Sequence, residues 1–235
     1  MHWFSRLWRF IYESIQLFII KIDFLWFSFF EFIKVAARYY GNANFRKWDL
    51  SLLKKYIFRS PFRISKRYLV DKGSKNPFLY GETPLTAMEM IAKRFHISQS
   101  DVVYELGCGR GRTCFWLAAF VKCQVVGVEL IPIFVTKALE VKNKFNVIHA
   151  NFICKDVLDL DYSMATCVYF FGTSSDEEFI ENLISKLSAL QKGAKVITVS
   201  YPLTDYMDTI QYRVVDKFTV PFGFGDVDVY LQLRV

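Results

Sequence analysis

The chain has 235 residues, 53% of them hydrophobic, which is enough for one α/β domain with a full core and an attachment. Its formal net charge of +7 is unevenly placed: residues 1–80 hold 15 Lys and Arg against 5 Asp and Glu, whereas residues 81–235 hold 15 against 18. Five scattered cysteines without paired metal spacing, and three histidines far apart, speak against a disulfide framework or a metal site and fit a reducing, intracellular compartment.

Neither glycine nor proline interrupts residues 1–40. At 100° per residue, Arg6, Lys21, Asp23, Glu31, Lys34 and Arg38 share about half of the wheel, while Ile15, Phe18, Ile22, Trp26, Phe29 and Ile33 share the other, so one long amphipathic helix is predicted. Lys21 and Asp23 break the run of about twenty apolar residues that a bilayer span needs. The helix is therefore expected to lie on a membrane surface rather than cross it, with packing on the domain or on a second copy as the alternative. If it lies on a membrane, removing residues 1–40 should leave a folded domain. No small-residue cleavage site follows, so no removable signal peptide is expected. Residues 41–76 read as a basic linker, and the basic stretch through residue 79, with Arg46, Lys54, Arg63 and Lys66, suits anionic headgroups or RNA phosphate.

Pro77 to Pro84 leads into a predicted helix, Leu85 to Phe95, in which Thr83 stands at the capping position before Pro84. The apolar run from Val102 is a buried strand carrying Glu105, and it breaks into Gly107, Gly109 and Gly111 before the helix Thr113 to Phe120. Glycines at these places let the backbone turn sharply and approach a ligand closely. A dinucleotide loop wants Gly-x-Gly-x-x-Gly, and a carboxylate at Glu105 would repel a pyrophosphate but attract an ammonium or sulfonium. S-adenosylmethionine carries both. A second strand, Gln124 to Glu129, ends beside the ribose, where Glu129 can accept both hydroxyl hydrogens. After a helix at 133–146, a third strand ends in Asp156, placed for the adenine amino group, with Val157 against the ring.

This acidic residue followed by Gly-x-Gly-x-Gly resembles the first motif of the class I methyltransferase family. The resemblance covers residues 77–235 and implies an α/β fold, a Rossmann-like seven-stranded sheet with helices on both faces, preceded here by the amphipathic helix. The strand Ala165 to Phe171 delivers Gly172-Thr173 to the methyl-acceptor side, without the Asn/Asp-Pro-Pro-Tyr of enzymes that methylate base amino groups. The fifth strand, Ala194 to Ser200, follows a helix at 176–190, and segments 211–220 and 227–235 close the sheet as an antiparallel pair.

Tyr80-Gly81-Glu82-Thr83 is similar to a loop of the disruptor-of-telomeric-silencing lysine methyltransferases, which implies cofactor roles for Tyr80, Glu82 and Thr83. Gly172-Thr173 does not match the asparagine-rich motif of that family, so its histone substrate is not carried over. Tyr201-Pro202-Leu203 and the aromatic N-terminal helix resemble membrane-attached mitochondrial lysine methyltransferases. The expected function is thus methyl transfer to a lysine or other amine of a protein at a membrane surface. The alternatives are an RNA methyltransferase and a non-catalytic cofactor-binding protein. Tyr80, Phe171 and Tyr201 are the candidate acceptor channel, because an aromatic channel favours a neutral amine and a cationic methyl donor. The candidate cofactor contacts are Tyr80, Glu82, Thr83, Glu105, Gly107, Gly109, Gly111, Glu129, Asp156, Val157 and Gly172.

Overall fold

Four parallel crossovers and a closing hairpin build the sheet. Its strands are β1 (Val102–Leu106), β2 (Gln124–Glu129), β3 (Ala150–Cys154), β4 (Cys167–Phe170), β5 (Lys195–Val199), β6 (Tyr212–Phe222) and β7 (Gly225–Arg234). In the computed structural model, which describes residues 2–74, 76–173, 175–206 and 211–235, they lie in the order β3-β2-β1-β4-β5-β7-β6. β7 runs antiparallel to both of its neighbours. The inner strands are buried on both faces, as the near-continuous apolar runs of a parallel sheet require. The reversal of strand order at β1 and β4 opens a crevice above their carboxyl ends, where α/β sheets of this kind bind ligands.

Helices cover both faces. α4 (Leu85–Arg94), α5 (Arg112–Trp116) and α6 (Pro132–Phe145) pack on one side, and α7 (Glu177–Leu187) on the other. The helix expected at 113–120 is α5 followed by one π turn at Leu117–Val121, which ends where Lys122 adopts a left-handed conformation at φ 61.

Residues 2–71 add three helices: α1 (His2–Tyr39), α2 (Ala43–Lys54) and α3 (Pro61–Asp71). The stretch read as a linker is therefore helical. Asn42 caps α2 by accepting from the N–H groups of Asn44 and Phe45 at 3.1 Å, and Pro61 opens α3. α2 docks on α5 and α6 by burying Phe45, Leu52 and Asp49. The Arg112 guanidinium donates to both Asp49 oxygens at 2.6 and 2.8 Å, and the Tyr40 hydroxyl donates to Asp49 at 2.8 Å, so the buried carboxylate is fully engaged.

α1 has two working sides. Glu31, which the helical wheel places on the solvent half, is buried together with Val35 and Tyr39. Glu31 accepts from the Thr86 N–H at 3.0 Å and the Thr86 hydroxyl at 2.7 Å, and the Tyr39 hydroxyl donates to Glu89 at 2.6 Å. Nearly opposite on the helix, Phe18, Trp26, Phe29 and Ile33 are exposed, with Trp26 stacked on Phe30 at 5.9 Å. The expected placement of Lys21 on the polar half lies outside the described side chains. Among the described residues no helix is long and apolar enough to cross a membrane.

Candidate active site

The glycine loop leaves β1 with Gly107, Gly109 and Gly111 at φ +69, +53 and +75, a region that residues with a Cβ rarely adopt. A Cβ at Gly107 would meet nothing within 4 Å, whereas one at Gly109 would lie 3.0 Å from the Tyr80 ring and one at Gly111 2.9 Å from Phe152 Cζ. The loop is thus packed underneath, covered by Tyr80 at its middle, and open at its first glycine.

Two strand-end carboxylates hold the loop in shape. Glu105 is buried and accepts from the Thr113 hydroxyl and from Cys114 Sγ at 3.0 Å. Burial pushes its carboxyl up to about 7, against the pull of these two donors. Glu129 accepts from the N–H of Gly109 at 2.8 Å and of Ile131 at 2.9 Å. Burial also raises the Glu129 carboxyl above its ordinary value, although those N–H groups favour its charged form.

The 77–84 loop crosses above. The Tyr80 hydroxyl donates to Glu82, and Arg110 forks onto the same carboxylate, with Nε 2.6 Å from Oε1. Burial opposes ionisation of Glu82, but the Arg110 guanidinium beside it wins and holds the carboxyl below the usual range. Thr83 pairs its hydroxyl with that of Tyr169 at 2.6 Å rather than capping α4. The residue at that cap is Pro84, which offers no side-chain bond, and Glu31 supplies the acceptor from α1 instead.

Three adjoining cavities follow from this arrangement. One of about 160 Å³ runs along Gly107, Glu129, Leu130 and Gly172. One of about 20 Å³ lies between Glu105, Gly107 and Arg110. A third, of about 450 Å³, opens outward past Glu82, Phe62 and Phe224. Gly81 and Phe171 line all three, and a Cβ at Gly81 would stand 2.5 Å from Phe171 Cε1. The first two make a track for an elongated ligand across the strand ends, and the third meets that track at Phe171.

Of the residues expected from sequence, the structure gathers Tyr80, Glu82, Thr83, Glu105, Gly107, Glu129, Phe171 and Gly172 around these cavities, with Gly109 and Gly111 shaping the loop itself. Tyr201 stands behind the Gly172 loop: its hydroxyl donates to the Gly172 carbonyl at 2.6 Å, and its ring packs on Tyr206 at 4.9 Å. Asp156 and Val157 lie off the cavity linings. Asp156 caps a short turn by accepting from the Leu158 N–H at 2.9 Å, and Val157 packs into the core beneath α7. Sequence reasoning missed Arg110 and Arg112, the two loop positions between and after the glycines, which line the inner and outer cavities. It also missed Tyr169 and Phe62.

The residues fit S-adenosylmethionine. The free space over Gly107 leaves room for a ligand against the backbone, buried Glu105 has no cationic hydrogen-bond partner among the described residues, and Glu129 closes the β2 end of the track. Comparison with known proteins agrees. Residues 103–193 match a family model described as a methyltransferase domain. The chain is 27% identical over 205 residues to a histone-lysine N-methyltransferase, H3 lysine-79 specific, of Dictyostelium discoideum, covering 78% of this chain but only 10% of that protein's length. It is 29% identical over 126 residues to a protein-lysine N-methyltransferase of Saccharolobus islandicus, covering 53% of this chain and 77% of that one. Among solved structures, an RNA methyltransferase from Salinibacter ruber in complex with S-adenosyl-L-homocysteine superposes with a TM-score of 0.53 at 24% identity, over 66% of this chain and 94% of the other, and shares the fold. The sheet order, the glycine loop and the match of residues 103–193 to a methyltransferase domain together support a class I S-adenosylmethionine-dependent methyltransferase, with S-adenosylmethionine as its cofactor.

Proposed function

We propose that the chain methylates a lysine or other amine of a protein, working inside the cell at a membrane surface. One observation carries the reading: the outer cavity, whose lining includes Phe24, Phe27, Phe62, Tyr80, Phe171 and Phe224, meets the cofactor track at Gly81 and Phe171. A protonated lysine entering it loses hydration, so the walls favour the neutral amine whose lone pair reacts. Both curated relatives carry lysine-methyltransferase names, which supports the same acceptor. The exposed aromatic side of α1 and the basic α3 beside the cavity support the membrane part.

Bound S-adenosylmethionine supplies an electrophilic methyl group on a sulfonium. The protein's share is placement: Glu105 and Glu129 hold the track, Arg110 and Glu82 fix the 77–84 loop above it, and Phe171 and Tyr80 keep water from the meeting point. Displacement at a methyl carbon needs no protein nucleophile. Incubating the protein with cofactor labelled in its methyl group and with cell lysate, then treating with protease or ribonuclease, tests the acceptor. Label released by protease is expected. Label released by ribonuclease would replace this reading with the RNA one, which the basic α2 and α3 make the natural competitor.

Glu105 gives a pH test. A carboxyl whose folded value is raised contributes stability that is full below its unfolded value near 4.5 and lost as pH rises to about 7. A cation bound beside it favours the charged form, so binding releases a proton below pH 7. The Kd for S-adenosylmethionine should therefore weaken by up to about tenfold from pH 8 to pH 6. Calorimetry on wild type and Glu105→Gln checks this, because the variant should lose that slope.

A further inference from the structure

The side of α1 that docks on the domain continues, one turn at a time, over the outer cavity. Glu31, Val35 and Tyr39 recur every fourth residue and are buried; Phe27 and Phe24 extend the stripe toward the N-terminus and line the cavity with Glu31. Phe24 meets Phe62 of α3 edge-on, with centroids 5.8 Å apart at 89°. Both α1 phenylalanines occupy the room left by a glycine in the β6–β7 hairpin: a Cβ at Gly223 would lie 3.1 Å from Phe24 and 3.2 Å from Phe27.

Glu31 sets the height of this wall. A buried carboxylate needs donors, and here both come from Thr86, whose N–H is one of the unpaired groups in the first turn of α4. The charge also suits the positive end of that helix. Thr86 lies three residues beyond Thr83, so this pair of hydrogen bonds ties α1 to the end of the loop that floors the cavity.

We propose that residues 24–31 of α1 form one wall of the acceptor site and that Glu31 is the positioning residue that registers this wall against the Gly81–Thr83 loop. The proposal rests on the methyl-transfer reading of the cavity and deepens it: the acceptor amine is carried on an apolar segment that passes between α1, α3 and the hairpin. Among the described residues none from α1 lines the inner two cavities, so the wall governs the acceptor and not the cofactor.

The test compares full-length wild type, Phe27→Ala, Glu31→Ala and Glu31→Gln. S-adenosylhomocysteine affinity is measured by calorimetry, and transfer of labelled methyl to detergent-solubilised lysate is measured alongside. Phe27→Ala and Glu31→Ala should keep cofactor affinity within about twofold while losing at least about tenfold in transfer. Glu31→Gln should recover part of the loss, because its amide oxygen still accepts from Thr86. Equal losses of affinity and transfer, or unchanged transfer, overturn the proposal. Hydrogen exchange at the Thr86 amide gives a readout independent of turnover: it should quicken in Glu31→Ala while the Gly109 amide stays protected. Unchanged Thr86 protection overturns the proposal even if transfer falls. Label found on RNA in wild type refutes the protein-acceptor reading by itself, and the exchange result still decides the role of Glu31.

Discussion

Gly109→Val is expected to abolish S-adenosylmethionine binding in a chain that still folds. Valine at φ +53 is strained, its Cβ would press on the Tyr80 ring at 3.0 Å, and the shift would pull the Gly109 N–H from Glu129. Loss of at least about 100-fold in affinity follows from strain and displaced contacts of a few kcal/mol. Glu129→Ala should act through the same loop. It leaves the Gly109 and Ile131 N–H groups without their acceptor, at about 1–3 kcal/mol each, shared between stability and binding. Glu129→Gln, which keeps one acceptor oxygen, should lose less. Calorimetry beside a melting curve checks all three variants. Unchanged affinity in Gly109→Val and Glu129→Ala, or tighter binding of NAD than of S-adenosylmethionine, would remove the assigned roles of the loop.

Deleting residues 1–40 should lower Tm by roughly 10 °C or more, whereas deleting residues 1–21 should leave Tm near that of the full chain. The longer cut takes away Val35 and Tyr39, worth about 1.5–3 kcal/mol each, and strips Thr86 of both its acceptors. For Glu31, Val35 and Tyr39 the structure thus takes the alternative weighed from sequence, packing on the domain, for which truncation is expected to cost stability. Membrane binding needs a different variant, because Trp26, Phe29, Phe30 and Ile33 remain exposed after the short cut. Changing these four to serine in the shortened chain should preserve Tm and end flotation with anionic liposomes. Full-length protein that fails to float would refute the membrane proposal, and flotation of the serine variant would move the contact elsewhere.

What was legible in the sequence was local. Strands buried on both faces read as unbroken apolar runs, and Glu105, the three glycines and Glu129 announce themselves because their chemistry depends on neighbours a few residues away. Arg110 and Arg112 fall at positions that the glycine spacing does not specify, and their partners Glu82 and Asp49 lie 28 and 63 residues earlier. Glu31 illustrates the same limit. A helical wheel sorts charges toward water, and only the approach of α4 turns this one inward. At 41–76 the signals were present in Asn42 and Pro61, but a dense positive charge outweighed them as an indication of linker. At Asp156 the turn that follows takes one of the two carboxylate oxygens, a local bond to Leu158 that the strand-end position did not announce.

The fork between Arg112 and Asp49 also bears on the order of folding. It joins the residue right after the third loop glycine to a helix made much earlier in synthesis, and so helps to close a long stretch of chain. α2 thus leaves the ribosome with a carboxylate that only the nearby Tyr40 hydroxyl can reach and with an apolar face that waits for α5 and α6. Contacts this distant in sequence form late. The fork cannot close before α2 and α5 are both in place, so the start of α5 behind the glycine loop reaches its final contacts only after one of the earlier helices has docked on it.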